Sequence, residues 1–183
     1  MKKICITGHR PKSLYGYDLS DPRWIRLKME LKNYLQQFIL EQDSVAAITG
    51  IALGVDTIFA QAVLELQEEG FPISLIAMIP CLNQERMWRA ADKKRYKEIL
   101  SKADKVIYTS NEEYRKSLMI LRNHAMVDEA DQVLAVWRGI NGGTASTIDY
   151  AKKRGKPLTI LDPRAICEGQ RHPVPSGASN ERQ

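Results

Sequence analysis

The feature that most constrains the fold of this chain is a regular alternation of short apolar runs with longer segments of helical periodicity. Six runs are rich in β-branched and aliphatic residues, and they span residues 3–7, 45–49, 73–79, 105–109, 132–137 and 158–161. Residues 133–137 are apolar throughout rather than alternating, which is typical of a strand covered on both faces. The runs therefore predict a mostly parallel sheet of about six strands.

Five segments between these runs have the spacing of amphipathic helices. The first opens at Ser20-Asp21-Pro22, where a capping residue precedes a proline at the first helical position. Its apolar stripe consists of Trp24, Leu27, Leu31, Leu35 and Phe38. The other four lie at about 55–69, 83–100, 113–130 and 144–155. We predict an α/β fold of the Rossmann-like, doubly wound type, with helices on both faces of the sheet.

The length of 183 residues suits one domain, which we place at residues 1–162. Residues 163–183 mix Pro, Gly, Ser, Gln and charges with little apolar spacing, so we expect a disordered tail there. No apolar run is long enough for a signal peptide or a membrane helix, so we expect a cytoplasmic protein without a membrane partner. The three cysteines are far apart and lack a metal-binding pattern, and we expect neither a metal nor a cofactor.

Ligands of doubly wound sheets bind beyond the carboxyl ends of the strands, so the loops after the strands are the candidate site. The first such loop reads Thr7-Gly8-His9-Arg10-Pro11. Gly8 lets the backbone approach a ligand, and Arg10 can hold a phosphate through two parallel hydrogen bonds. The alternative is an ordinary Gly-Pro loop with a solvated arginine, and His9 alone does not decide between them.

The second loop, residues 49–56, has Gly50 and Gly54 at the two ends of the turn into a helix. Backbone N–H groups at such a helix start can bind an anion. The loop matches neither a Walker A motif nor a GxGxxG fingerprint, which argues against a dinucleotide dehydrogenase. Asp56 falls in the first helical turn, where it either stabilises the helix dipole or holds a ribose hydroxyl or a water.

The third glycine-rich loop, residues 137–144, also opens a helix. Gly142, Gly143 and Thr144 lie at its end and predict a second phosphate-binding helix start, although the same residues can form a simple turn with Thr144 as the helix cap. Arg122 and Asn123 fall in the fourth helical segment, beside an apolar face that we assign to Leu121 and Ala125. The spacing leaves open whether Arg122 reaches solvent or the ligand.

Charged residues dominate the segment around Trp88. They predict a solvated helix face, with Trp88 in the core or stacked on a base. They are Glu85, Arg86, Arg89, Asp92, Lys93, Lys94 and Arg95.

Taken together, residues 7–11, 49–56, 122–123 and 142–144 resemble the SLOG superfamily of Rossmann-like proteins, and more closely its YspA/YpsA-like branch. The resemblance covers about residues 2–161. The superfamily includes the Lonely Guy enzymes, which cleave the N-glycosidic bond of nucleoside monophosphates, and DprA, which binds single-stranded DNA. The resemblance implies a nucleotide-like ligand at the shared pocket.

The segments at 50–56 and 122–123 are similar to the DprA pattern, and residues 142–144 are similar to part of the Lonely Guy motif PGGxGTxxE. This chain departs from that motif, because Thr147 stands where the catalytic glutamate belongs and no proline precedes Gly142. Asp149 is acidic but two positions later.

Three functional hypotheses follow. The first is binding or sensing of a nucleotide-derived small molecule, a nucleoside phosphate or an ADP-ribose-like species, with Arg10 at its phosphate and Asp56 at its ribose. The second is a nucleotide N-glycoside hydrolase in which Asp56 or Asp149 is the catalytic carboxylate. The third is binding of single-stranded DNA, which the net charge of +5 permits. A homo-oligomer is a further expectation, with Trp24 or Tyr34 as candidate interface residues.

Overall fold

A six-stranded, fully parallel sheet forms the centre of the molecule. The computed structural model describes residues 1–168. The strands are β1 (Lys2–Gly8), β2 (Val45–Thr49), β3 (Ile73–Ile79), β4 (Lys105–Tyr108), β5 (Gln132–Val136) and β6 (Leu158–Leu161). Their order across the sheet is β4-β3-β2-β1-β5-β6, and every neighbouring pair is parallel. The six predicted runs are thus confirmed as strands.

Helices connect the strands and cover both faces of the sheet. They are α1 (Pro22–Leu40), α2 (Val55–Glu68), α3 (Ala90–Lys102), α4 (Lys116–Glu129), α5 (Gly143–Lys153) and α6 (Pro163–Cys167), preceded by a 3-10 turn at Pro11–Ser13. The start of α1 is as predicted, because the Asp21 carboxylate accepts a hydrogen bond from the Arg23 amide and Pro22 occupies the first turn. The doubly wound α/β fold is confirmed.

Two hydrophobic cores lie on opposite faces of the sheet. Alternate residues of a strand point to opposite faces, so Ile4 and Ile6 belong to the larger core and Cys5 belongs to the smaller one. The larger core packs the sheet against α1, α2 and α3, while the smaller one packs it against α4 and α5. Burial on both faces is the physical reason that the strands read as continuous apolar runs.

The strand order changes sides between β1 and β5. Strands β2 to β4 are added successively on one side of β1, whereas β5 and β6 are added on its other side. The loops after β1 and β5 therefore diverge, and a crevice opens beyond the carboxyl ends of these two strands. This topology determines where the candidate site lies.

Helix α3 starts later than the sequence indicates, at Ala90 rather than near residue 83. Residues 83–88 form successive tight turns instead, in which the amides of Arg86 and Trp88 bond to carbonyl groups three residues earlier. Trp88 packs edge-on against Tyr96, with ring centroids 5.3 Å apart. This contact and the hydrogen bond from Gln84 Nε2 to the Gly50 carbonyl fix the segment against the rest of the fold.

The face of α4 that contacts the core also differs from the prediction. Leu121 is 58% exposed, whereas Leu118, Arg122 and Met126 are buried. The apolar face assigned to Leu121 and Ala125 is therefore wrong for Leu121. Arg122 points inward, where its guanidinium group pairs with the Asp56 carboxylate of α2. Helical periodicity alone does not show this pairing.

The start of the predicted tail is folded. Residues 163–167 form α6, where Ile166 is buried and the Tyr15 hydroxyl donates to the Pro163 carbonyl at 2.8 Å. These residues belong with the domain, and the rest of the predicted tail, 169–183, lies outside the described residues.

Two aromatic residues considered for an interface lie in the core instead. Trp24 is fully buried, and Tyr34 is 7% exposed. Within residues 1–168, none of the helices is long and apolar enough to cross a membrane.

Candidate functional site

A cleft of about 240 Å³ lies at the crevice between the loops that follow β1 and β5. Ten of the predicted site residues line it: Thr7, Gly8, His9, Arg10, Asp56, Arg122, Asn123, Gly142, Gly143 and Thr144. They come from four separate stretches of the chain, and the fold brings them together at one edge of the sheet. Gly50 and Gly54 are the two predicted residues that do not line the cleft.

Gly50 and Gly54 both stand where neighbouring groups leave no room for a side chain. A Cβ atom at Gly50 would collide with the guanidinium group of Arg122. Gly54 has a φ of +98° and lies so close to the first loop that a Cβ atom there would be 2.5 Å from the His9 carbonyl oxygen. These two glycines let the second loop pack against Arg122 and the first loop.

Two amide groups of the second loop donate within the protein. The Val55 N–H donates to the His9 carbonyl at 3.3 Å, and the Ala52 N–H donates to the Asp56 carboxylate at 3.4 Å. The first amide thus binds the first loop, and the second binds the Asp56 side chain, which folds back over the second loop.

A buried arginine and a buried aspartate face each other in the cleft wall. Arg122 Nη1 lies 3.7 Å from Asp56 Oδ2 and 3.4 Å from the Met78 carbonyl oxygen, and both side chains are at least nine-tenths buried. Arg122 Nε has no hydrogen-bond partner among the described residues. Burial lowers the pKa of Arg122 and raises the pKa of Asp56, because it penalises the charged form of each group.

His9 links the first loop to the loop after β5. Its Nε2 accepts a hydrogen bond from the Arg138 backbone N–H at 3.1 Å, so the proton of the neutral ring is on Nδ1. Burial and the Arg138 charge lower the pKa of His9. A neutral histidine therefore joins the two loops that border the cleft.

The N-terminus of α5 opens into the cleft. Gly142 is the residue before the helix, and among the described residues no side chain caps it. Gly142 and Gly143 are exposed, with free space where side chains would stand. Thr144 lies inside the helix, so it is not the cap. The amides of this first turn have no partner within the helix and present a partial positive charge.

Thr147 joins α5 to α4 behind the cleft. Its hydroxyl donates to the Gly143 carbonyl at 2.8 Å and accepts from Asn123 Nδ2 at 3.1 Å. Thr147 therefore braces the start of α5 at the position where a Lonely Guy enzyme has its glutamate. Asp149 is exposed and does not line the cleft, so the hydrolase hypothesis now depends on Asp56 alone and stays a prediction.

Several lining residues were not foreseen. Lys116 begins α4 and lines the cleft together with Ser13, Ile120, Ile140 and Asn141. One signal could have revealed Lys116, because the helix after a parallel strand starts at the ligand-binding edge of the sheet. Arg10, Lys116 and Arg122 outnumber Asp56, which is the one acid among the lining residues, so the cleft favours anions.

Comparison with known proteins agrees with this architecture. The model of the YspA SLOG family matches residues 4–164. The SPbeta prophage-derived protein YoqJ of Bacillus subtilis is 30% identical over 158 residues, which cover 79% of this chain and 92% of YoqJ. A UPF0398 protein of Bacillus thuringiensis is also 30% identical over 158 residues, with 85% of each chain covered.

Two solved structures of DNA processing protein A share the fold. The protein from Helicobacter pylori, described with its mode of single-stranded DNA binding, has a TM-score of 0.64 and 19% identity, covering 96% of this chain and 76% of its own. The protein from Streptococcus pneumoniae has a TM-score of 0.64 and 16% identity, covering 95% of this chain and 59% of its own. The match to the family model extends from β1 to the start of α6, and this chain therefore belongs to the YspA SLOG family.

Proposed function

We propose that this protein binds a nucleotide-derived small molecule, a nucleoside phosphate or an ADP-ribose-like species, with a phosphate group in the cleft. The observation that carries the proposal is the incomplete pairing of Arg122. Its guanidinium group is buried, its Nη1 lies 3.7 Å from the Asp56 carboxylate, and its Nε has no acceptor among the described residues. An incompletely paired buried charge is costly, and a bound phosphate would supply the missing negative charge.

The groups around Arg122 favour the same ligand. The open first turn of α5 offers backbone N–H donors to an anion from one side of the cleft. Arg10, which is exposed and lines the cleft, offers a guanidinium group that can form two parallel hydrogen bonds with a phosphate. In this arrangement Asp56 accepts a hydrogen bond from a ribose hydroxyl, while its charge is offset by Arg122 and Arg10.

Calorimetric titration with ribose 5-phosphate, AMP, ADP-ribose and the phosphate-free ligand adenosine tests the proposal. We expect the phosphorylated ligands to bind and adenosine to bind at least tenfold more weakly than AMP. Arg10→Ala should weaken AMP binding at least tenfold, which corresponds to the roughly 1.5–3 kcal/mol of a hydrogen bond to a charged group.

Lys12→Ala is the matched control, because Lys12 is an exposed cation two residues away that does not line the cleft. Its affinity for AMP should stay within twofold of that of the wild-type protein. Equal effects of the two substitutions would show that binding follows net charge and not the cleft, and would contradict the proposal.

Binding of single-stranded DNA is the second candidate. The fold likeness to DNA processing protein A favours it, as does a group of side chains near the cleft in which Arg10, Arg86 and Arg89 adjoin Trp88. Cationic and aromatic side chains in one groove are typical of single-strand binding. This candidate predicts that affinity for an oligonucleotide falls steeply with salt, with a logarithmic slope of about −0.7 per phosphate contact. A flat salt dependence would contradict it.

A further inference from the structure

A second hollow adjoins the cleft, and only one of its lining residues, Arg10, is among the proposed phosphate contacts. It has a volume of about 430 Å³ and shares Arg10 and Met119 with the cleft. The cleft itself, at about 240 Å³, is smaller than the roughly 300–1,000 Å³ of typical small-molecule sites. A ligand whose phosphate lies in the cleft therefore has room for its remaining part beyond Arg10.

Part of the wall of this hollow suits a flat aromatic ring. Met87 is 86% exposed and Tyr114 is 49% exposed, although both are large apolar side chains that a core would normally cover. Trp88 also lines the hollow and is held in place by its edge-on contact with Tyr96. Aromatic and thioether groups around a cavity offer stacking and dispersion contacts to a heteroaromatic ring.

Gln84 adds a specific polar group to the same wall. The residue is 6% exposed, and its Nε2 donates to the Gly50 carbonyl at 3.1 Å. That bond fixes the orientation of the amide, since the flipped amide would place two oxygen atoms against each other. The other amide atom, Oε1, is buried and makes no hydrogen bond among the described residues. A buried acceptor without a donor is unfavourable, and an N–H group of a ligand would satisfy it.

We infer that the hollow is a nucleobase subsite that selects a base with an exocyclic amine, such as adenine or cytosine, through Gln84 Oε1. This inference rests on the proposed function, because it extends the same ligand from the phosphate cleft past Arg10. A base with a carbonyl group in place of the amine, such as hypoxanthine or uracil, would set a second acceptor against Gln84 Oε1. The site thereby discriminates between bases of nearly identical shape.

Calorimetric titration of the full chain with three ligands separates the subsite from the cleft. Ribose 5-phosphate probes the cleft alone, AMP adds a base with an amine, and IMP replaces that amine by a carbonyl group. We expect AMP to bind at least tenfold more tightly than both ribose 5-phosphate and IMP. CMP should exceed UMP in the same sense, because this pair also differs by an amine and a carbonyl group.

Gln84→Met removes both polar amide atoms while keeping the length of the side chain. We expect it to make the affinities for AMP and IMP equal and to leave the affinity for ribose 5-phosphate within twofold. Because Gln84 also bonds to Gly50, its substitution could unfold the protein. Met87→Ala gives an independent test, since this exposed side chain supports no packing. It should weaken AMP binding at least fivefold, whereas Met29→Ala, an exposed methionine on α1, should not.

The outcomes distinguish the subsite from the proposed function. If ribose 5-phosphate binds and AMP binds no more tightly, the subsite is overturned and the phosphate cleft stands. Equal affinities of wild-type protein for AMP and IMP would overturn selection by Gln84. If none of the three ligands binds, the proposed function fails, and tight binding of an oligonucleotide in that case would favour the single-stranded DNA candidate.

Discussion

Gly50 is the residue at which backbone geometry and the candidate site meet most directly. It is buried, and the guanidinium group of Arg122 occupies the space where its side chain would be. Gly50 does not line the cleft, but the absence of a side chain there leaves the space in which Arg122 reaches Asp56.

Gly50→Ala should therefore displace Arg122. We expect the free energy of unfolding to fall by about 1–3 kcal/mol, as for other overpacked sites, and ligand affinity to fall with it. Urea unfolding measures the first effect and calorimetry the second. Gly143→Ala is the control, because a Cβ atom there meets open space, and its unfolding free energy should change by less than about 0.5 kcal/mol. Equal stability of the two variants would show that Arg122 does not need Gly50.

Asp56 makes the stability depend on pH in a defined direction. Its pKa in the folded protein is raised above the value of about 3.9 in an unfolded chain, mainly because it is buried. At pH values between the unfolded and folded pKa, the folded state binds more protons than the unfolded state. Stability from this group is thus present below about pH 4 and is lost as the pH rises through the folded pKa.

Asp56→Asn should remove that loss. We expect the unfolding free energy of the wild-type protein minus that of Asp56→Asn to decrease between pH 4 and the raised pKa, by at most about 1.4 kcal/mol per pH unit. Denaturant unfolding over this range measures the difference. Asp149→Asn, which changes an exposed carboxylate outside the cleft, is the matched control. An increase of the difference with pH would mean that the pKa of Asp56 is lowered.

At the scale of elements, α6 extends the folded part of the chain beyond residue 162. It contacts the segment before α1 through the Tyr15 hydroxyl and inserts Ile166, which is 6% exposed, into the larger core. The sequence suggested a tail here, because a five-residue helix is too short to show a helical period.

Truncation tests the contribution of α6. A chain that ends at residue 162 should lose about 1.5–3 kcal/mol of unfolding free energy, the contribution of one fully buried aliphatic side chain. A chain that ends at residue 168 retains α6 and should be the more stable of the two truncated chains in thermal unfolding. The boundary would be at 162 after all if both truncated chains were equally stable.

The elements also differ in how far the sequence predicts them. All six strands and the start of α1 follow from apolar runs and a capping motif, which are local signals. The start of α3 and the inward face of α4 do not follow from local patterns, because Gln84 and Arg122 contact Gly50 and Asp56, which are distant in sequence.

At the scale of the whole molecule, the strand order places the site. Because the strand order changes sides between β1 and β5, four segments that are distant in sequence meet beyond the carboxyl ends of these two strands. A ligand bound there would lie at the carboxyl ends of the strands, and it would not contact their amino ends.

Hydrogen exchange should show this asymmetry. With saturating AMP, we expect slower exchange of amides in residues 8–10 and 138–145, since these loops border the cleft. Amides in residues 41–44 and 154–157, which lie at the amino ends of β2 and β6, should exchange as in the free protein. Slower amide exchange at the amino ends of β2 and β6, without slower exchange around the cleft, would contradict the assigned position of the ligand.

By itself the sequence determined the class of fold and most of the residues around the cleft. Apolar runs report burial, and glycine-rich loops after strands report the ligand-binding edge, so both are readable from local patterns. Tertiary structure alone decided which of these groups interact: the pairing of Arg122 with Asp56, the packing of Gly50 and Gly54, and the hollow beside Gln84. The reason is that burial and electrostatic pairing depend on distances between segments that are far apart along the chain, and no local pattern encodes those distances.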